Sequence, residues 1–351
     1  MTTQLVRSFD ELPVGTAQTA DPSFDVHCTV DWFRLLSTTA LQPAAALRIY
    51  RIASSDDQPG LCIPCLAICQ RRYLTALSNF YTPLFGPVNN AGATPDHLDS
   101  WARAITAEGW AVLDLRPLDR DAEFFHRTLA TLRKTGWWAD HYFCFGNWFL
   151  KVNGRGFADY WADRSSRMRN TILRARRRLA KMPGFQLEIA QTPGPALEMA
   201  ITDYQTVYAR SWKKPEPFPD FIPGLCRRAA DRGWLRLGVI RLESGPIAAQ
   251  LWLCAGQTAS IVKLAHDEAR AKLGAGSVLT AALMEQVLDV DRVQVVDYLI
   301  GDDAYKREWM SHRRERRGII AFNPRTLGGI AGALQHFGGR IWRRLRPLPR
   351  I

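Results

Sequence analysis

The sequence predicts an α+β fold of mixed, mostly antiparallel sheets with flanking helices. Residues 234–265 contain three apolar runs separated by two short turns with glycine, which is typical of an antiparallel meander. Segments with helical periodicity precede and follow this meander. Because strands and helices do not alternate regularly along the chain, a doubly wound parallel sheet is not expected. The 351 residues are enough for two domains of ordinary size.

The first half of the chain mixes short strands with two helices. Apolar runs bounded by turn residues mark the strands, and apolar side chains three or four residues apart mark the helices. Phe124, Phe125, Leu129 and Leu132, for example, share one helical face. We expect strands at Leu47–Ala53, Leu61–Cys69, Trp110–Leu115 and His141–Val152, and helices near Asp96–Ala107 and at Asp121–Thr135.

The second half opens with a strongly basic helix over residues 164–181. Met168, Ile172, Ala175 and Leu179 form one apolar stripe that is surrounded by Arg, and Pro183-Gly184 ends the helix. The other elements follow from the same signals. We expect strands at Phe185–Ala190, Trp234–Leu242, Ile247–Cys254, Thr258–Ala265, Val293–Leu299 and Gly318–Phe322, and helices near Ala196–Ser211, Phe218–Arg232, Val278–Val290 and Ala304–Met310.

The net charge of +12 is concentrated in two segments. Residues 164–181 carry seven Arg and one Lys, residues 323–351 carry six Arg, and neither segment contains an acidic residue. The rest of the chain is slightly acidic, so a general polycation is excluded. Two local basic surfaces favour a phosphate-bearing cofactor, an acidic carrier protein, an anionic membrane or RNA as partner. The basic helix lacks interleaved aromatic residues, which argues against nucleic acid.

The sequence indicates a reduced, cytoplasmic environment. The first 30 residues contain four acidic residues and no continuous apolar segment, so no secretory signal is expected. No run reaches the roughly 18 apolar residues that a membrane-spanning helix needs. The seven Cys are an odd number. Because Cys62-x-x-Cys65 lies in an apolar run without a second pair nearby, we expect a buried strand there and no metal cofactor.

Gly274-Ala275-Gly276-Ser277 follows a predicted strand and precedes a predicted helix. Two glycines permit close approach of a ligand, and a helix start offers free N–H groups and a positive dipole end, which suit a pyrophosphate. The segment does not match the Walker loop, because no Gly-Lys-Ser/Thr follows, and it lacks the third Gly of the dinucleotide fingerprint. A turn with an ordinary helix start remains the alternative.

A second polar segment, Asp297–Trp309, combines a strand end, a Gly turn and a helix start, with Gly-Asp-Asp-x-Tyr-Lys at its centre. Together with Lys263–Asp267 and the Gly-rich turn, it resembles the acyltransferase domain of the GNAT superfamily. The branch it resembles is that of the acetyltransferase-type proteins of exopolysaccharide and cellulose gene clusters, which is related to the Fem-type aminoacyl transferases. The resemblance covers residues 156–325 well and the first half loosely, through residues 77–87.

The resemblance implies two GNAT-like modules in tandem, which we place at residues 1–155 and 156–325, followed by a basic tail at 326–351. It implies an acyl thioester donor, either acyl-CoA or an acyl carrier protein, in a splay between the strands Thr258–Ala265 and Val293–Leu299. The donor-binding residues that it implies are Lys263, Leu264, Gly274, Ala275, Gly276, Ser277 and Val278.

The corresponding reaction is attack of an amine on a thioester carbonyl. The amine must be neutral, and the departing thiolate benefits from a proton donor or a cation. Five side chains near the two motifs are candidates for these roles: His266 as the base, with Asp297 and Asp302 as competitors, Tyr305 as the proton donor and Lys306 as the cation. Ordinary structural roles, such as a turn histidine or ion pairs with neighbouring charges, remain the alternatives.

Two further segments are candidate walls of an acceptor site. Ser211–Pro217 brings aromatic, cationic and acidic side chains into a proline-rich bend between two helices, and Asn79-Phe80-Tyr81 is treated in the same way. A purely structural bend is the alternative in both cases. The candidate substrate-binding residues are Asn79, Tyr81, Trp212, Lys213, Glu216 and Asp302.

The C-terminal tail has the pattern of a basic amphipathic helix. Apolar side chains recur every three or four residues at Leu327, Ile330, Leu334, Phe337, Ile341 and Leu345. Four Arg and one Trp follow near its end, at Arg340, Trp342, Arg343, Arg344 and Arg346. Such a helix suits an anionic membrane interface, which would place the protein peripherally on the inner face of the membrane. Packing of the stripe on the protein's own core is the alternative.

These observations lead to one leading hypothesis and three alternatives. The leading hypothesis is N-acylation of a hydrophobic amine such as a sphingoid base, with a ceramide-type product, because a thioester donor site and a membrane-seeking tail occur together. The resemblance supports it, since some acyltransferases of this superfamily are implicated in making ceramides in bacteria. The alternatives are acetylation of a sugar or exopolysaccharide precursor, aminoacyl-tRNA-dependent transfer, and a non-catalytic module that binds a thioester or docks at a membrane.

Overall fold

The computed structural model describes residues 1–13, 24–41, 45–55, 60–89 and 93–345, with side chains up to residue 339. It confirms the α+β class with mixed, mostly antiparallel sheets. The strands are β1 (Thr2–Val6), β2 (Ala46–Ala53), β3 (Leu61–Ile68), β4 (Tyr73–Ala76), β5 (Val112–Asp119), β6 (Trp138–Lys151), β7 (Gln186–Ala190), β8 (Leu235–Leu242), β9 (Gly245–Ala255), β10 (Thr258–His266), β11 (Val295–Asp297) and β12 (His312–Phe322). The helices are α1 (Val30–Thr39), α2 (Pro95–Ala107), α3 (Glu123–Lys134), α4 (Phe157–Ala162), α5 (Ser166–Leu179), α6 (Pro195–Ala209), α7 (Phe221–Asp231), α8 (Ala275–Glu285), α9 (Ala304–Trp309) and α10 (Leu327–Leu345).

The chain divides into two compact units, of which unit 1 comprises Met1–Ala20, His27–Phe145 and Glu315–Ile351. Its strands lie in the order β1-β2-β3-β4-β5-β12. All neighbours pair antiparallel except β4 and β5, which pair parallel. Phe33 and Trp101 are fully buried in its core.

Unit 2 comprises Asp21–Val26 and Gly146–Arg314. Its strands lie in the order β6-β11-β10-β9-β8-β7. β10 and β11 pair parallel, and the other neighbouring strands pair antiparallel. Helix α8 packs on β8, β9 and the basic helix α5. The predicted apolar stripe of α5 is buried in this core, so the arginines of the helix remain on its outer side.

Both halves of the chain repeat one order of elements, β2-β3-β4-α2-β5-α3-β6 in the first and β8-β9-β10-α8-β11-α9-β12 in the second. The last strand of each half pairs in the other unit, because β6 joins β11 and β12 joins β5. The compact units therefore have other bounds than the division that we expected after residues 155 and 325, which stays a prediction. Gly146–Lys151 belongs to unit 2, whereas Glu315–Phe322 and the tail belong to unit 1.

The predicted strand Val293–Leu299 is shorter in the structure than expected. Pairing with β10 ends at Asp297, whose Oδ1 accepts a hydrogen bond of 2.7 Å from the Leu299 N–H. Leu299 then adopts a positive φ of 55°. The carboxylate and the turn together lead the chain out of the sheet and towards α9.

The Cys62-x-x-Cys65 pair lies in β3, as expected, and both side chains are buried. Residues three positions apart in a strand face opposite sides, so the two thiols do not converge. Burial raises the pKa of the Cys62 thiol to about 12. Across the described ranges, no group of three His, Cys, Asp or Glu side chains is placed to hold a metal ion. No helix within those ranges has the length and hydropathy needed to cross a bilayer.

Candidate functional site

Strands β10 and β11 diverge after three residue pairs, and this splay defines the candidate site. The last pair is Ser260 with Asp297, yet β10 continues for six more residues to His266. Its register against β9 shifts between Ile261 and Lys263, which marks a bulge at the point of divergence. Beyond Ser260, β10 therefore presents backbone N–H and C=O groups on the side that β11 has left. Such an edge can bind an amide-rich ligand arm.

Helix α8 begins beside this edge without a side-chain cap. Gly274 precedes the helix with a φ of 72°, a conformation that favours glycine. The helix starts at Ala275 and not at Val278 as predicted, so Ala275, Gly276 and Ser277 form its first turn. Their N–H groups have no intrahelical acceptor, and they point where the helix dipole is positive.

The Gly-rich turn lies close to both β10 and α5. A Cβ on Gly276 would lie 3.5 Å from His266 Nδ1, whereas one on Gly274 would lie 3.1 Å from Ala175 Cβ of α5. The two glycines thus let β10, α5 and α8 approach closely. These residues fit the pyrophosphate of a coenzyme A thioester.

Trp212 and His266 form one wall of the site, next to the Gly-rich turn. The rings of Trp212 and His266 lie 4.6 Å apart, and 51% of the Trp212 side chain is exposed. Burial lowers the pKa of His266 below its ordinary value of 6.5. The imidazole is therefore neutral at pH 7, which is the form that can accept a proton.

Next to this pair lies a cluster of two lysines, one glutamate and one tyrosine. Lys263 Nζ lies 2.7 Å from Glu216 Oε1, and both side chains are largely buried. Lys263 and Lys213 both approach the Tyr208 ring, at 5.6 and 5.7 Å from its centroid. The structure thus brings together Trp212, Lys213, Glu216, Lys263 and His266, which the sequence had placed in two separate motifs.

Tyr305 and Lys306 occupy the start of α9 and differ in exposure. Tyr305 is 45% exposed, and its ring lies 5.6 Å from that of Tyr298. Burial of the hydroxyl raises the pKa of Tyr305 to about 12, so it carries its proton at neutral pH. Lys306 is only 5% exposed and donates to the Ile300 carbonyl oxygen.

Lys306 stabilises the loop that precedes α9. Its ammonium lies 3.4 Å from Asp303 and 5.3 Å from the centroid of the Tyr298 ring. Burial lowers the pKa of Lys306, and the neighbouring carboxylates oppose that effect. The side chain therefore brings positive charge into the site while it fixes the loop.

Asp297 and Asp302 are both engaged by arginines. Asp297 is 3% exposed, pairs with Arg314 and accepts a hydrogen bond of 2.6 Å from Asn147 Nδ2. Asp302 is exposed and pairs with Arg313 at 2.6 Å, and hydrogen bonds from Arg313 lower its carboxyl pKa. Neither carboxylate is as well suited to accept a proton as the neutral His266.

Asn79 and Tyr81 lie in unit 1, where their contacts are local. The Asn79 side chain accepts from the Tyr81 N–H at 2.9 Å and donates to the Ala40 carbonyl oxygen at 3.3 Å. Tyr81 is buried. These contacts shape the loop after β4, and the acceptor-site role of Asn79 and Tyr81 stays a prediction.

Tyr208 and the Gln250–Thr280 pair belong to the same region but were missed in the sequence. Gln250 donates to the Gly276 carbonyl oxygen and to Thr280 Oγ1, both at 2.8 Å, and so holds the first turn of α8 against β9. A polar residue inside the apolar run 247–254 was the available signal for Gln250. Tyr208 gave no signal, because it lies in an ordinary helical pattern.

Residues 166–307 match the acetyltransferase (GNAT) domain family. This segment contains α5, the splay, the Gly-rich turn and the start of α9, so the match covers every element of the candidate site in unit 2 except the Asn147 and Arg313–Arg314 contacts. The chain thus carries a GNAT-type domain and is an acyltransferase. No curated protein matches the sequence.

Three solved structures share the fold at low identity. FemX is similar with a TM-score of 0.63 and 11% identity, over 96% of this chain and 99% of that chain. The C-terminal domain of a candidate lysylphosphatidylglycerol synthetase from Agrobacterium fabrum has a TM-score of 0.55 and 11% identity, over 82% of this chain and 88% of that chain. L-PGS from Bacillus licheniformis has a TM-score of 0.53 and 11% identity, over 87% and 95%. At such identities the likeness shows a common fold alone.

Proposed function

We propose that this chain is an N-acyltransferase that moves an acyl group from an acyl thioester to a hydrophobic amine such as a sphingoid base. The donor would be acyl-CoA or an acyl carrier protein. The observation that carries the proposal is the splay of β10 from β11 beside the uncapped start of α8. The pantetheine arm would lie along the β10 residues Lys263 and Leu264, and the pyrophosphate on the first turn of α8 from Gly274 to Val278.

The equivalent corner of unit 1 differs, which supports unit 2 as the donor-binding unit. β4 and β5 also pair parallel over three residues, but α2 begins with a capping box between Thr94 and His97 and with Pro95 at its start. A capping box satisfies the N–H groups that a phosphate would bind. The Phe85 N–H also bonds to the Pro117 carbonyl oxygen at 2.6 Å, so a loop of the chain lies against β5 there.

The residues of unit 2 suggest a division of roles. His266, which is neutral at pH 7, would take the proton of the attacking amine, and Tyr305 would donate a proton to the departing thiolate. Lys306 would hold the loop and supply positive charge near the reaction. Asp297 would act through Arg314 and the loop as a positioning residue.

A hydrophobic acceptor is supported by the exposed aromatic side chains at the site. Trp212 and Tyr305 are 51% and 45% exposed, although large aromatic side chains are usually more buried. Their faces can contact an alkyl chain without desolvating a charge. The basic amphipathic pattern of the tail is consistent with an acceptor drawn from a membrane.

Thiol release provides the direct test. The full chain is incubated with palmitoyl-CoA and sphinganine, and free coenzyme A is measured together with the amide by mass spectrometry. We expect thiol release that depends on the amine and one amide per thiol. The Ser277→Asp variant, which places a carboxylate on the exposed first turn of α8, is expected to lose the reaction. Absence of amide with long-chain and short-chain donors, across lipid and sugar amines, would contradict the proposal.

Aminoacyl transfer is a second candidate, favoured by the similarity to FemX and to the candidate lysylphosphatidylglycerol synthetase. The arginines on the outer side of α5 would then contact the tRNA backbone. Lysyl-tRNA and alanyl-tRNA with lipid or peptide amines are the substrates to test. Product formation from aminoacyl-tRNA, with none from acyl-CoA, would replace the leading proposal. RNA affinity that falls steeply with salt would accompany it.

A further inference from the structure

Lys213 is an ammonium group that is half-buried and has no carboxylate at ion-pair distance among the described residues. Its Nζ lies 5.7 Å from the centroid of Tyr208 and 5.7 Å from that of Trp212. The one acidic group of the cluster, Glu216, is engaged by Lys263 at 2.7 Å. Cation–π contacts stabilise an ammonium less than a direct ion pair with a carboxylate in the same surroundings would.

The surroundings of Lys213 carry an excess of positive charge. Lys263 and Lys306 repel its ammonium, and Glu216 compensates this in part. Burial and this repulsion lower the pKa of Lys213 to about 8. An anion beside Lys213 would offset both effects, because an opposite charge favours the ionised amine. The cluster thus has the electrostatics of an anion site that the protein's own carboxylates fill only partly.

We infer that Lys213 and Lys263 form a receptor for an oxyanion of the acceptor, so that the preferred acceptor is an amphiphilic amine with a carboxylate or a phosphate close to its amino group. The inference rests on the proposed function and narrows its substrate class from neutral long-chain amines to acidic ones. The sequence placed Lys213 among the candidate acceptor-site residues without a chemical role, and Lys263 was expected to bind the donor.

The geometry connects this receptor to the reacting groups. Trp212 contacts both Lys213, at 5.7 Å, and His266, at 4.6 Å. An oxyanion at the lysines would place an amine one or two carbon atoms away towards the imidazole. Positioning of this kind favours the attack because it fixes the nucleophile before the proton is removed.

Binding of a matched set of amines tests the inference. 2-Aminohexadecanoic acid carries a carboxylate, sphinganine 1-phosphate a phosphate, and 2-aminohexadecan-1-ol a neutral head. Calorimetry on the full chain, below the micelle concentration of each lipid, should show at least tenfold tighter binding of an acidic amine than of the alcohol. Charge-assisted hydrogen bonds of ordinary strength give a difference of this size. Whichever of the two acidic amines binds more tightly shows whether the site prefers a carboxylate or a phosphate.

Lys213→Met should remove the preference for the acidic amine, and Lys213→Arg should retain most of it. Lys214→Met is the matched control, because Lys214 is the exposed neighbour. Lys213→Met is expected to fold, since it removes a repelled charge and keeps the length of the side chain. Equal binding of the acid and the alcohol, or a preference that survives in Lys213→Met, would overturn the inference. Acid-selective binding without any acyl transfer would instead contradict the proposed function alone.

Discussion

Tyr305 offers the cleanest test of the reaction centre at the scale of one residue. Its hydroxyl has a pKa of about 12 and is available on a half-exposed side chain. Tyr305→Phe removes the proton donor and keeps the ring contact with Tyr298. We expect turnover with acyl-CoA to fall by about tenfold or more, within the usual range for loss of a general acid. Thermal unfolding should be unchanged, and full activity would mean that the reaction occurs elsewhere.

Lys306 should behave differently, although it is the next residue. Its buried ammonium binds the Ile300 carbonyl oxygen and pairs with Asp303, so Lys306→Ala leaves a buried acceptor without its donor. That loss costs about 1–3 kcal/mol. We expect both a lower melting temperature and a large loss of turnover, measured by calorimetry and by thiol release. A variant with normal stability and low turnover would assign Lys306 to catalysis alone.

The role of His266 predicts an acid limb in the pH profile. Burial lowers its pKa below 6.5, so the imidazole is neutral and competent above that pKa and becomes protonated below it. The rate constant kcat/KM should therefore fall as the pH drops through a value below 6.5. His266→Gln should lower the rate and abolish this limb. A limb that persists in the variant would assign the base to another group.

Single residues show how far the sequence predicts the site. Both motifs were visible because glycine, acid and phenol occur at short spacing in the chain. The sequence did not predict that Trp212 contacts His266, because this contact depends on the packing of the α6–α7 connection on β10. The engagement of Asp297 was hidden for a similar reason, because its partners Asn147 and Arg314 lie on other strands.

At the scale of elements, the first turn of α8 is the proposed donor-binding element. A Cβ on Gly276 would meet His266 Nδ1 at 3.5 Å, an ordinary contact distance, so Gly276→Val should add methyl groups at the proposed phosphate site while the helix remains intact. We expect the KM for acyl-CoA to rise about tenfold or more with little change in kcat. Gly338→Ala is the matched control, because a Cβ at that helical glycine would meet no atom within 4 Å. An unchanged KM for acyl-CoA in Gly276→Val would mean that the donor does not bind at this turn.

Local pattern predicted most elements but not all of their ends. The meander β8-β9-β10 was predicted almost to the residue, because each strand is apolar and each turn contains glycine. Strand β12 was expected only from Gly318, yet it begins at His312. Its first residues, His312 to Arg317, are polar, with one glutamate among four arginines, so no hydrophobic signal marked them. The exchange of β6 and β12 is a property of long-range pairing, and no local signal reports it.

At the scale of the whole molecule, the two basic segments differ in how their helices are packed. The stripe of α5 is buried in the core of unit 2, so its arginines face outward beside the Gly-rich turn. In α10 the predicted stripe is not buried as a set. Ala333 is buried, and Ile330 and Phe337 are half-buried, with the Phe337 ring 6.1 Å from that of Phe322. Leu327 and Leu334, in contrast, are 87% and 69% exposed. Arg346 lies outside the described residues, and no side chain is described beyond residue 339.

The exposed leucines of α10 predict binding to anionic membranes, and they allow a test that leaves the fold intact. Deletion of residues 326–351 would uncover the core around Ala333, so point variants are preferable. Leu327→Asp and Leu334→Asp should each reduce flotation with vesicles of phosphatidylglycerol and phosphatidylcholine, because a carboxylate at a buried interface is costly and is repelled by the lipid. Gln335→Asp, at an exposed neighbouring position, introduces the same charge and should have a smaller effect. If both leucine variants float to the same extent as the Gln335→Asp control, α10 does not contact lipid through its leucines. The proposal of a hydrophobic acceptor would then be supported by Trp212 and Tyr305 alone.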